Sequence, residues 1–141
     1  MGFFDKIKGA VGIGQPKLEL TLEGNQVKRG EALKGSFTMT GGSRALPVDK
    51  FVIEHVEVHT RREWSNTTKN YVDRKVRNTV NKIEITKGGA EIQPGETMEE
   101  SFELPVSSSA MPSGHPYAHE LKVSADVPGL DPNKKVEIFV L

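Results

Sequence analysis

The feature that most constrains this chain is Ile92-Gln93-Pro94-Gly95-Glu96-Thr97-Met98-Glu99-Glu100-Ser101-Phe102-Glu103-Leu104-Pro105. A Pro-Gly pair opens it, apolar and polar residues then alternate, and a proline closes it. Proline presets one turn position and glycine relieves the steric cost of the next, so the pair commits the backbone to a tight turn. Alternation at every second residue marks a strand with one buried face. Val27-Lys28-Arg29-Gly30-Glu31, followed by Leu33, Gly35, Phe37 and Met39, repeats the outline earlier in the chain. Together they predict an all-β sandwich. They reveal no reaction.

At 141 residues the chain fits a single domain (residues 1–141) and can bury most of the apolar surface that its unfolded form exposes. Its 19 Lys and Arg balance 19 Asp and Glu, so the global field favours neither nucleic acid nor an anionic membrane. With no cysteine, thiol catalysis, disulfides and thiolate metal sites are excluded, and a cytoplasmic setting fits. No apolar run approaches the roughly 20 residues that span a bilayer.

One helix is predicted, over residues 1–14. Phe3, Phe4, Ile7 and Val11 share one side at helical spacing, and Gly12, Gly14 and Pro16 end it. About three turns are unstable alone in water, so the helix needs a surface. Either it packs on the sandwich, or the Phe3, Phe4, Ile7, Val11 face docks on a membrane or partner.

The rest reads as strands. Leu18, Leu20 and Leu22 alternate, Leu33 to Met39 follow, and Gly41-Gly42-Ser43 breaks that run. In the run Val48 to Trp64, Phe51 and Ile53 point one way and Val56 and Val58 the other. Such a phase change implies a bulge or a strand covered on both faces. Tyr71 to Ile85 shifts phase too, with Val72, Val76 and Val80 on one face and Ile83 and Ile85 on the other. Gly88-Gly89 leads on to the Pro94 turn. Leu121, Val123, Ala125 and Val127, then Val136, Ile138 and Val140, supply the last two strands.

The two long runs are expected to form a hairpin around Ser65-Asn66-Thr67-Thr68-Lys69. Pairing Val58 with Val76 would set Glu57 opposite Arg77 and Arg61 opposite Asp73, so that packing and charge agree.

Gly30-Glu31 with Leu33-Lys34-Gly35, then Gln93-Pro94-Gly95-Glu96, Phe102-Glu103-Leu104-Pro105 and Met111-Pro112-Ser113, resemble the arrestin N-terminal domain pattern. The start, Phe3-Phe4-Asp5-Lys6-Ile7 to Gly12-Ile13-Gly14, is similar to the bacterial sporulation-control branch of that clan. So is the segment Leu121 to Pro132. The resemblance implies an immunoglobulin-like, arrestin-type β-sandwich without a cofactor. It also implies a non-catalytic scaffold or protein-interaction role in developmental or stress signalling, such as sporulation control. The family pattern has two such lobes; this sequence carries the first.

The histidines make a poor metal site as read. His55 and His59 on a strand lie roughly 13 Å apart, too far for two ligands of one zinc. His115 and His119 flank a Pro-Tyr loop and could approach another element. Solvated or hydrogen-bonded imidazoles are the plainer expectation. For catalysis, Ser107-Ser108-Ser109 has no nucleophile-elbow context, and Glu99 and Glu100 sit on alternate faces of one strand. No enzyme and no cofactor are expected.

The hairpin concentrates Arg61, Arg62, Lys69, Arg74, Lys75, Arg77 and Lys82, with Trp64 and Tyr71 near its tip. Interleaved Glu57, Glu63, Asp73 and Glu84 can neutralise the cations pairwise, which argues against nucleic acid. Arg62, Trp64, Tyr71 and Arg74 combine residue types that concentrate binding energy, and are the candidate partner-binding group. The alternative is that Trp64 folds back and covers the open end of the sheet. Open sheet edges also lead us to expect a homo-oligomer.

Overall fold

In the computed structural model, residues 15–129 and 132–141 are described. The expected helix over residues 1–14, with its Phe3, Phe4, Ile7, Val11 face, lies outside them. Eight strands follow in order: β1 Lys17–Leu22, β2 Gln26–Val27, β3 Ala32–Thr40, β4 Leu46–Ser65, β5 Asn70–Ile92, β6 Thr97–Pro105, β7 Tyr117–Asp126 and β8 Asn133–Val140. β1, β3 and β6 form a three-stranded sheet in the order β1-β3-β6. The other sheet has five strands in the order β2-β8-β7-β4-β5. The fold is the expected β-sandwich.

The alternating residues of the two sheets meet as the core. Leu33, Phe37 and Met39 of β3, with Phe102 and Leu104 of β6, bury one face of the small sheet. Phe51 and Ile53 of β4, Leu121 and Val123 of β7 and Ile138 of β8 bury the facing side. Phe37 bridges the layers, its ring edge-on to Phe51 at 4.8 Å between centroids. Both glycine turns form where they are expected. The Glu96 amide donates to the Gln93 carbonyl at 3.0 Å across Pro94-Gly95, and the Glu31 amide to the Lys28 carbonyl at 3.0 Å across Arg29-Gly30. Gly95 and Gly30 sit at φ 76° and 85°, which only glycine adopts at no steric cost.

Gly41 does more than end β3. A Cβ there would stand 2.0 Å from the Gln93 carbonyl oxygen, so the missing side chain lets the end of β3 press against the Pro94-Gly95 turn. The Gly41 amide donates to the Glu96 carbonyl at 2.8 Å, and the Gly95 amide to the Gly41 carbonyl at 3.2 Å.

Several details of the hairpin differ from expectation. β5 does not stop at Ile85. It runs to Ile92, and Gly88 and Gly89, at φ 64° and 82°, form a bulge within it rather than a break. The tip register is off by one from the expected pairing: Val58 faces Arg77, His59 faces Val76, Arg61 faces Arg74 and Arg62 faces Asp73. The turn is the cause. Ser65 pairs with Asn70, so residues 66–69 form the loop, and the Lys69 amide donates to the Ser65 carbonyl at 2.8 Å. An even loop replaces the odd one that the expected register requires. Glu57 consequently faces Asn78, and Arg77 pairs instead with Glu120 of β7 at 3.3 Å.

The two phase shifts have different causes. β4 pairs with β7 without interruption from Lys50 to His59, so Val56 and Val58 lie on the face opposite Phe51 and Ile53, and all four are buried. On β5 the ladder steps from Asn81 to Thr79, leaving Val80 as an extra, bulged residue. That insertion returns Val72 and Val76 to the same sheet face as Ile83 and Ile85.

Candidate functional site

Two places carry the chemistry. The first is the free end of the hairpin. β7 supports β4 only as far as His59, with one further bond from the Thr60 amide to the Pro116 carbonyl at 2.9 Å. Beyond that, residues 61–65 and 70–74 stand as a two-stranded ribbon that extends about 17 Å at strand rise.

Directly paired residues share a sheet face, so Arg62 and Asp73, and Trp64 and Tyr71, stand together. The Trp64 and Tyr71 rings meet edge-to-face at 5.2 Å, and the Arg62 guanidinium lies 5.1 Å over the Tyr71 ring. Trp64 Nε1–H donates to Asn66 Oδ1 at 3.1 Å. The ring does not fold back over the sheet end: Trp64 is 52% and Tyr71 58% exposed. Three of the four candidate binding residues, Arg62, Trp64 and Tyr71, thus form one platform. Arg74 belongs to the other face, where it and Arg61 share Glu63 at 3.4 and 3.3 Å. The one-residue register difference moves Arg74 away from Arg62 and Trp64 and brings Tyr71 to them in its place.

Residues 61–77 contain Arg61, Arg62, Lys69, Arg74, Lys75 and Arg77 against Glu63 and Asp73. The ribbon is therefore a cationic projection on a chain of zero net charge, balanced by an anionic body. Among the described residues, Lys69 and Lys75 form no ion pair.

The second place lies beneath the root of the ribbon. His55 and His119 are fully buried, and His55 Nε2 lies 2.8 Å from His119 Nδ1. His119 Nε2 lies 2.6 Å from the Met111 carbonyl oxygen. A carbonyl only accepts, so His119 Nε2 carries a hydrogen, and a ring with that one hydrogen accepts at Nδ1. His55 must then donate from Nε2, which leaves its Nδ1 as a bare lone pair; that atom is buried with no partner. Burial, and secondarily the proximity of His119, hold the His55 imidazole at about 4, below its ordinary 6.5.

Sequence reasoning paired neither histidine with the other, although the signal was present. His55 is in phase with Phe51 and Ile53, and His119 with Leu121, Val123 and Ala125, so both continue core-facing stripes. Nearer the ribbon, His59 stacks on Tyr117 at 4.7 Å with the rings 13° from parallel. Among the described residues, no three His, Cys, Asp or Glu side chains gather as a metal site, and no helix is long and apolar enough to cross a membrane.

Comparison with known proteins places the chain. The family model described as SpoOM protein matches residues 4–127. The chain belongs to this family. Among solved structures it is similar to Spo0M, a sporulation control protein from Bacillus subtilis, with a TM-score of 0.77 at 20% identity. That match covers 91% of this chain and 50% of the other, so the chain spans about half the length of that SpoOM structure. No curated protein matches the chain. The SpoOM match ends at Val127, one residue past β7, and so takes in the ribbon and both histidines of the relay.

Proposed function

We propose that this SpoOM-family chain is a non-catalytic protein-interaction module of the cytoplasm, and that the β4–β5 ribbon is its recognition surface. The observation that supports this is the Arg62–Tyr71–Trp64 platform, held in water on a projection with no third strand. Exposed aromatics cost solvation unless something covers them, and Trp, Tyr and Arg carry most of the energy in interface hot spots. The groups best suited to acid–base chemistry, His55 and His119, are closed to solvent, which favours a structural role for them. The Bacillus relative is a sporulation control protein. By kinship, the module acts in developmental or stress signalling of that kind.

The test is capture of partners from the native cell by wild-type protein and by the Trp64→Ala, Arg62→Glu double variant. Lost capture with a nearly unchanged melting temperature is expected. A folded double variant that keeps every partner would move the recognition surface elsewhere on the sandwich.

A further inference from the structure

Resting on the ribbon reading above, we propose that the free edge of β5 over residues 70–78 takes an extended acidic segment of a partner polypeptide as an additional strand. β5 is outermost in its sheet, so one row of its backbone amides and carbonyls has no neighbouring strand. The two halves of that edge are not equivalent. In the body, β6 covers it: Asn81 Nδ2 donates to the Pro105 carbonyl at 2.8 Å, and Lys87 pairs with Glu100 at 2.9 Å. Past the Val80 bulge, residues 70–78 lie beyond this cover. Extended peptides bind such edges by main-chain hydrogen bonds, with alternate side chains giving specificity.

The side chains state what the incoming strand should be. On one face of the ribbon β5 presents Val72, Arg74 and Val76; on the other Tyr71, Asp73, Lys75 and Arg77. A strand laid alongside meets apolar, cationic and apolar neighbours on the first face, and mostly cationic ones past Tyr71 on the second. Opposite charges across strands stabilise and like charges repel, so an apolar-acidic alternation fits. A second copy fits badly, because its β5 brings the same three cations.

Two other anionic partners fit less well. The turn Asn66-Thr67-Thr68-Lys69 carries no apolar side chain at its apex to enter a bilayer interface. Toward nucleic acid, Val72 and Val76 flank Arg74 with apolar side chains where phosphates need a run of cations, and a phosphate backbone cannot pair with the free strand edge as a polypeptide does.

Trp64 is the one tryptophan of the chain and packs on Tyr71 at this edge, so its fluorescence reports binding directly. The probe is a short synthetic peptide alternating valine and glutamate, titrated by fluorescence and calorimetry. A valine–lysine peptide, phosphatidylglycerol vesicles and oligothymidylate serve as comparators. Saturable, salt-sensitive binding of the valine–glutamate peptide alone is expected. Two further peptides, N-methylated on one or the other alternate set of amides, separate strand addition from charge attraction. One set should abolish binding and the other should leave it. Arg74→Glu with Lys75→Glu should weaken binding about tenfold or more in a protein of unchanged circular dichroism.

Equal binding of both methylated peptides, or an equal response to vesicles or oligothymidylate, would overturn the inference. So would silence toward valine–glutamate in a protein that still captures its partner through the ribbon. That last result leaves the ribbon reading standing. Only partner capture surviving Trp64→Ala, Arg62→Glu removes the ribbon reading itself.

Discussion

The body of the sandwich and the ribbon are built from the same two strands, yet they use them in opposite ways. In the body, Phe51 and Ile53 of β4 are sealed by the facing sheet, and the β5 edge is tied to β6 through Asn81 and Lys87. In the ribbon, β4 and β5 carry their largest side chains, Trp64 and Tyr71, half in water. A two-stranded hairpin is marginal by itself in water, so the ribbon depends on continuity with the body for its shape. Stability is concentrated where the strands are covered on both sides. Surface chemistry is concentrated where they are not.

That contrast can be broken most directly in the core. Phe37→Ala should cost about 3–5 kcal/mol in chemical denaturation, since the ring is buried between the sheets and meets both Phe51 and Phe102. Trp64→Ala should cost far less. Equal losses would mean that the ribbon is part of the folding core.

Acid should strike next. His55 is held at about 4 in the folded chain against 6.5 when unfolded, so the unfolded state binds the proton first. Stability is then full above about pH 6.5 and declines toward pH 4, by about 3 kcal/mol over that window. His55→Gln should flatten the slope, whatever its cost at neutral pH. A wild-type slope no steeper than that of the variant would dismiss the imidazole relay as its origin.

A smaller effect separates two glycines. Gly41→Ala places a methyl group 2.0 Å from the Gln93 oxygen and should cost about 1–3 kcal/mol, whereas Gly24→Ala meets open space and should stay within about 0.5 kcal/mol. Thermal melts of the two variants would show it. The smallest effect lies in the ribbon: a double-mutant cycle on Trp64 and Tyr71 should give a coupling of about 0.5–1.5 kcal/mol. Zero coupling would mean that the rings do not hold each other in place.

Much of the body was legible because turns and alternation are local. Pro94-Gly95 and Arg29-Gly30 make the expected turns, and the stripes Leu33–Met39 and Leu121–Ala125 face the core. The ribbon was harder, because its register hangs on loop parity. Ser65-Asn66-Thr67-Thr68-Lys69-Asn70 contains no Gly or Pro to set the loop length, and one residue moved Arg74 to the far side from Arg62. The relay required two stripes from strands remote in sequence to be laid side by side. Nor could alternation alone say that the phase shift on β5 is a bulge while the one on β4 is not.

Val80 can be seen as a correction of reading frame. A strand is read two residues at a time, inward and outward, and an unpaired residue shifts every later position by one. Were Val80 paired in the ladder instead of bulged, Val72 and Val76 would exchange faces with Tyr71, Asp73 and Lys75 while Ile83 and Ile85 stayed in place. The body would still close, and the ribbon would present the wrong text. Deletion of Val80 alone should therefore leave both faces as they are, whereas one residue inserted between Val76 and Val80 should invert the ribbon, the pattern expected where one strand has to serve an enclosed core and an exposed surface in a single continuous line.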